Sequence, residues 1–145
     1  MTRSALRSAL LILLTAASLG ASAASLEVTD ARIRWLPGEL PLAGYMTLYN
    51  RNASLVVLTG ATSPWFDSIM MHESVSEAGQ ARMDMRRQVD IPPGGTVEFE
   101  PRHYHLMMMS RQKEMHPGDS IPVTLHYEDG SSQTIKFEVQ GVDGE

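Results

Sequence analysis

Short apolar and β-branched stretches alternate with groups of Gly, Pro, Asn and Asp along most of the chain. The spacing of an amphipathic helix does not recur among them, and the pattern instead predicts short strands. These cover residues 26–35, 43–49, 55–59, 65–72, 82–89, 96–100, 103–109, 121–127 and 134–139. The last two flank Asp129-Gly130, a pair typical of a hairpin turn. Eight or nine such strands indicate an all-β fold, an antiparallel β-sandwich.

The first residues follow a different pattern, with a positive start, an apolar run and a small-residue site. Arg3 and Arg7 supply the charge, residues 9–17 are mostly apolar, and residues 21–23 read Ala-Ser-Ala. That order of parts predicts a secretory signal peptide. An uncleaved membrane anchor is the alternative, although the apolar run is short for a membrane span.

Export follows from the predicted signal peptide. Cleavage after Ala23 or Ala24 would separate residues 1–24 from one domain, residues 25–145. We therefore expect a periplasmic protein that is not stably inserted in the membrane after cleavage. The mature chain would keep 10 of the 12 basic residues and all 17 acidic ones, a net charge of −7. Such a charge argues against nucleic acid and anionic membrane surfaces as partners.

The chain contains no cysteine. Disulfide exchange, thiolate-bound zinc and blue-copper electron transfer all require cysteine sulfur, so the composition excludes these functions. The remaining soft donors are methionines. Of the 10 methionines, seven lie between Met70 and Met109, and four of the five histidines lie between His72 and His116.

Methionine and histidine gather in three short stretches, residues 70–72, 83–85 and 103–109. Because side chains two apart on a strand share a face, the third stretch divides into two sets. Tyr104, Leu106 and Met108 suit a core. The other face carries His103, His105, Met107 and Met109, a mixture of ring nitrogen and thioether sulfur that a core does not require.

This mixture of donors indicates copper. Calcium and magnesium prefer oxygen ligands, and zinc takes cysteine, histidine or carboxylate. Thioether together with imidazole selects copper, above all Cu(I). An exported protein also gains from methionine, because cysteine thiols tend to oxidise to disulfides outside the cytosol.

The spacing of four of these residues resembles a known family. His72, ten residues, Met83, twenty-one residues, His105, one residue and Met107 match the H-x10-M-x21-H-x-M signature of the periplasmic copper chaperones called PCu(A)C. The stretches 43–50 (AGYMTLYN) and 92–97 (PPGGTV) are also similar to that family. The resemblance implies a cupredoxin-like, Greek-key β-sandwich that binds one Cu(I) per chain through these four residues.

The resemblance also implies a function. Members deliver copper toward the CuA centre of cytochrome c oxidase, so apo subunit II or another periplasmic copper protein is the expected partner. A copper storage or resistance protein with the same site is the alternative, and the sequence leaves the target and the oligomeric state open. A copper enzyme is not expected, since it would need further histidines. A second Cu(II) site is doubtful, because the C-terminal stretch KFEVQGVDGE lacks His and Met.

The other candidate residues have more ordinary interpretations. We expect packing roles for the remaining methionines of the cluster, with two of them also rimming the site: Met70, Met71, Met108, and the rim candidates Met85 and Met109. Trp35 and Trp65 are expected in the core or at its rim. His103 is expected either next to the ligands, without binding the ion, or on the plain surface, and His116 and His126 at structural or exposed positions. Three carboxylates are either partners of a ligand histidine or part of a solvated acidic face, which is favoured: Glu73, Glu77 and Asp84.

Overall fold

Ten β-strands form the fold in the computed structural model, which describes residues 23–142. They are β1 (Glu27–Arg34), β2 (Leu42–Tyr49), β3 (Val56–Thr62), β4 (Phe66–Glu77), β5 (Gln80–Arg86), β6 (Val89–Ile91), β7 (Thr96–Phe99), β8 (Tyr104–Arg111), β9 (Ser120–Tyr127) and β10 (Ser132–Gln140). Within this range no helix is long and apolar enough to cross a membrane. The predicted signal peptide, apart from its last two residues, lies outside the described residues.

The strands form one sheet that closes on itself. Their order is β5-β4-β8-β7-β2-β1-β10-β9-β3-β6, with further pairings of β4 with β3 and of β8 with β2. The β3–β4 contact, between Ala61 and Ile69, joins the two ends of the curved sheet. This confirms the predicted all-β, sandwich-like fold. The sheet is not purely antiparallel, however, because β1 pairs with β10 and β7 with β8 in parallel.

Alternation along the strands places one apolar face of the sheet inside the closed structure. Its largest fully buried side chains come from most of the strands: Ile33, Leu42, Met46, Leu48, Leu58, Ile91, Phe99, Leu106, Met108, Met115, Ile121 and Phe137. Leu106 and Met108 therefore occupy the core, as predicted, and Met71 joins them. The packing of β8 against the core orients its alternate side chains outward.

Two strand predictions differ from the structure around the β4–β5 hairpin. β4 continues to Glu77, five residues beyond the predicted end at His72, and the predicted strand 82–89 divides into β5 and β6. Residues Ala78 and Gly79 connect β4 to β5 with φ of 51° and 77°, as a two-residue type I′ hairpin requires. The end of β4 reads Ser-Val-Ser-Glu without an apolar face, because it extends past the core and needs none.

One buried polar side chain joins three loops and strand ends. Asn50, fully buried after β2, donates from Nδ2 to the carbonyl oxygens of Ser54 (2.9 Å) and Ile91 (2.8 Å). Its Oδ1 accepts from the backbone N–H of Asn52 (2.8 Å) and from the Asn52 side chain (2.9 Å). All donors and acceptors of this amide are thus satisfied, so its burial stabilises the fold.

Asn50→Ala is expected to lower the free energy of unfolding by about 3 kcal/mol, because it leaves buried backbone groups without partners. Urea denaturation followed by circular dichroism measures the change. Asn52→Ala is the matched control and should cost less than about 1 kcal/mol, since Asn50 keeps its backbone partners. Equal losses in the two variants would contradict the central role of Asn50.

Candidate metal centre

The predicted ligands lie on three neighbouring strands at one edge of the sheet. β4 pairs with β8 in an antiparallel register that sets His72 opposite His105 and Met70 opposite Met107. The two imidazole rings are 5.6 Å apart between centroids, at an interplanar angle of 81°. Cross-strand partners project from the same face. The register therefore brings together two histidines that are far apart in sequence.

The β4–β5 hairpin adds methionines to the same face. Met85 lies opposite His72, and Met83 lies opposite Ser74, two pairs nearer the turn of the hairpin. Met83 is thus a diagonal neighbour of His72 on one side, as Met107 is on the other. We call this surface the Met/His face; its residues are Met70, His72, Met83, Met85, His105, Met107 and Met109.

Exposure differs strongly across the Met/His face. His105 is buried, with 5% of its surface exposed, and His72 and Met107 are half-buried. Met83 and Met85 are exposed to 62% and 58%. The donors on the core side are consequently held by packing, whereas those on β5 are free to change side-chain conformation.

A backbone carbonyl orients the ring of His105. Nδ1 of His105 lies 3.5 Å from the carbonyl oxygen of His103, which can only accept a hydrogen bond. A proton on Nδ1 would donate to this carbonyl and would leave the Nε2 lone pair available to an ion. The same carbonyl accepts from the backbone N–H of Ser74 at 3.0 Å, so it also joins the start of β8 to β4.

Two features of the histidine pair favour binding of a metal ion. Burial lowers the pKa of His105; the carbonyl of His103 raises it, and the neighbouring His72 lowers it further. Nδ1 of His72 is buried and has no hydrogen-bond partner among the described residues. A buried ring nitrogen without a partner is costly unless something binds it. A cation bound to His72 Nδ1 would remove that cost.

The donor set fits a soft ion. Residues 23–142 contain no group of three or more His, Asp or Glu side chains placed to hold a metal, and the candidate centre combines two histidines with thioether sulfur. Two imidazoles with surrounding thioethers match the preferences of Cu(I) and not those of oxygen-seeking cations. The residues present thus suit the metal that the sequence predicted.

The carboxylates near the site face away from it. Glu73 and Asp84 are cross-strand partners on the face opposite His72, because they are one residue out of step with the ligands. Arg86 donates from Nε to Glu73 at 2.6 Å, and Arg82 pairs with both Asp84 (3.1 Å) and Glu77 (2.9 Å). They form the solvated charged face that the sequence favoured, and none contacts a ligand histidine.

The other histidines and the tryptophans lie at the positions predicted for them. The ring of His103 is exposed, 3.6 Å from Glu100, and only its carbonyl serves the site. His116 is exposed 3.3 Å from Glu114, and His126 shares a 2.7 Å hydrogen bond with Thr62. Trp35 and Trp65 are partly buried and pack against the core.

The sequence predicted a packing role for Met70 and a packing or rim role for Met85. It did not predict that Met70 pairs directly with Met107, or Met85 with His72. Met85, being largely exposed, is no core residue, although its place beside the histidines agrees with a rim. The turn contained the missing signal. A two-residue loop at Ala78-Gly79 pairs Glu77 with Gln80, and counting back from that pair sets Met85 opposite His72.

Comparison with known proteins assigns the family. The LpqE-like family model, described as "Putative lipoprotein LpqE-like", matches residues 26–139, most of the chain. The chain belongs to the LpqE-like family.

Individual relatives extend this assignment. Lxx21020 of Leifsonia xyli subsp. xyli, also described as a lipoprotein, is 28% identical over 126 residues, 86% of this chain and 75% of its own. The copper-bound PCuAC domain of PmoF2 has the same fold, with a TM-score of 0.69 at 22% identity over 83% of this chain and 96% of that domain. The Cu(I) form of DR1885 from Deinococcus radiodurans matches at a TM-score of 0.66 and 28% identity, covering 86% of this chain and 85% of that protein. These PCuAC structures agree with the resemblance drawn from the sequence.

The lowered pKa of His105 has a measurable consequence for this LpqE-like protein. In the metal-free protein, an NMR titration should give its imidazole a pKa below 6.5, the ordinary value for histidine. Because the unfolded chain takes up this proton first, stability should fall as the pH drops from 6.5 toward the folded-state pKa. Above 6.5 the effect is absent. In His105→Gln, urea midpoints should depend less on pH over that window; an identical dependence would contradict the assignment.

Proposed function

We propose that this protein is an exported Cu(I)-binding metallochaperone whose ion is held by His72, Met83, His105 and Met107. The observation that carries the proposal is the register of β4 with β5 and β8, which brings these residues to one face. The Nδ1 of His72 on that face has no hydrogen-bond partner among residues 23–142. The Cu(I) form of DR1885, at 28% identity, supports the choice of metal. One ion per chain is the stoichiometry that a single such set accommodates.

Neutral ligands suit a protein that must release its cargo. Two imidazoles and two thioethers leave the charge of bound Cu(I) uncompensated, so an incoming thiolate, which is anionic and soft, can displace them in turn. The ion would be anchored by the buried His105 and by Met107, and approached from the exposed side at β5. Because the exposed donors are on β5, the ion would leave the Met/His face from the β5 side.

The delivery target we propose is the CuA centre of cytochrome c oxidase, on apo subunit II, or a related periplasmic copper protein. Residues 1–24 would act as a signal peptide, cleaved after Ala23 or Ala24, and residues 25–145 would be the working domain. The lipoprotein description of the family supports a place outside the cytoplasm. A lipid carried on a cysteine sulfur does not enter the proposal, since the sequence has no cysteine.

Cu(I) competition against a colorimetric chelator tests the site. Outer residues of metal sites typically change affinity about 10- to 100-fold, so His105→Asn and Met107→Leu, which remove direct ligands, should weaken binding by more than about 100-fold. His116→Asn is the matched control and should bind as the unchanged protein does. The affinity should also fall at acidic pH, because ligand nitrogen must be unprotonated. Unaltered affinity in both ligand variants would refute the site.

Metal transfer separates the chaperone from the storage alternative. When Cu(I)-loaded protein is mixed with an apo CuA domain, we expect the copper to appear on that domain, followed by its absorption spectrum after oxidation. His105→Asn, loaded as far as it will bind, should deliver less. Complete retention of copper by the unchanged protein would favour storage instead.

A further inference from the structure

We propose that Met85 is a fifth donor of this centre, which takes the place of Met83 on the ion while copper enters or leaves. The inference rests on the proposed function, because it concerns the same Cu(I) site. Met85 lies outside the four-residue signature, and the sequence alone predicted a packing or rim role for it.

The register of the β4–β5 hairpin places Met85 close to His72. Met85 is the direct cross-strand partner of His72, and Met83 is the partner of Ser74. Side chains of direct partners are about 5 Å apart at Cβ, and those of diagonal neighbours about 7–8 Å. Met85 thus starts closer to His72 than the signature residue Met83 does, and a methionine side chain is long enough to reach the ring from either position.

Both methionine side chains of β5 are exposed and free to change conformation. Met85 and Met83 are the two large apolar side chains of β5, and both are more than half exposed. A thioether packed into the core could not change ligands without opening a cavity, whereas an exposed one changes rotamer at little cost. By contrast, His105 and Met107 on β8 are held by their neighbours. The coordination position nearest β5 is therefore the one that two donors can share.

The position of β5 in the sheet makes the two methionines accessible to a partner protein. β5 is the first strand in the sheet order. Its outer edge pairs with no other described strand, so a partner protein can approach it there. In the exchange, the bond from copper to the Met83 sulfur breaks as the bond to the Met85 sulfur forms. Both ligands are neutral, so no electron or proton is transferred. The ion keeps a sulfur donor from β5 while the partner displaces the other.

The charged side of the hairpin keeps β5 in place during this exchange. Arg86 pairs with Glu73, and Arg82 pairs with Glu77 and Asp84, on the face opposite the methionines. Two of these ion pairs, Arg86–Glu73 and Arg82–Glu77, link β4 to β5 on the face away from the methionines. Substitution of either methionine should therefore leave the hairpin folded.

A double-mutant cycle tests the inference. Leucine is close to methionine in volume but lacks sulfur, so Met83→Leu, Met85→Leu and the double variant are compared for Cu(I) affinity. If the two thioethers replace one another, each single variant should lose less than about 10-fold, and the double variant should be at least about 10-fold weaker than the product of the single losses. Losses that simply multiply would overturn the proposal.

X-ray absorption at the copper edge gives a second readout that a rim role would not change. The sulfur contribution should be the same in the unchanged protein and in both single variants, and smaller in the double variant. Met109→Leu is the matched control, because Met109 shares the face but lies opposite Ser68, away from the histidines. When Met109→Leu is combined with Met83→Leu, the losses of Cu(I) affinity should simply multiply. A coupling as large as that between Met83 and Met85 would mean that the methionines act only as apolar cover over the site.

Transfer kinetics distinguish failure of this inference from failure of the proposed function. Release of Cu(I) to an excess of chelator should be slower by about 10-fold in Met85→Leu than in the unchanged protein, with the affinity nearly unchanged. The reason is that the bond from copper to Met83 must then break without the simultaneous formation of a bond to Met85. An unaltered rate would overturn the exchange role and leave the four-residue site intact. Absence of Cu(I) binding in the unchanged protein would instead remove the site itself.

Discussion

The candidate centre depends on the antiparallel register between β4 and β8. That register makes His72 and His105 direct partners and sets Met70 opposite Met107. A shift of β8 by one residue would turn His105 and Met107 into the core and expose Leu106 and Met108, which are fully buried. Core packing and ligand presentation are therefore the same constraint, since the apolar residues that hold β8 in place also determine which side chains face outward.

The two halves of the site differ in how firmly they are held. β8 belongs to the closed part of the sheet, and its donors sit close to the core, with His105 almost fully covered. β5 lies beyond the core at the edge of the sheet, joined through a tight hairpin at Ala78-Gly79. A site with one rigid side and one adaptable side can bind an ion without enclosing it, which is the physical requirement for passing the ion to another protein.

Charge is kept away from the donors. The hairpin has a face of histidine and thioether and an opposite face of paired carboxylates and guanidinium groups. A carboxylate beside the imidazoles would favour their protonation and attract harder cations. Its location on the other face, together with the burial that lowers the pKa of His105, leaves imidazole nitrogen and thioether sulfur as the groups that the proposed ion would meet.

The amino-acid sequence by itself determined the fold class, the face of β8 that enters the core, and the choice of metal chemistry. These depend on local alternation and on residue type, which can be read along one strand at a time. The tertiary structure decided which strand pairs with which. It showed Met85 opposite His72, the carbonyl of His103 at the His105 ring, and the closure of the sheet through Ala61 and Ile69. Such contacts join residues that are distant in the chain, and their register follows from turn geometry and core packing, which no single strand specifies.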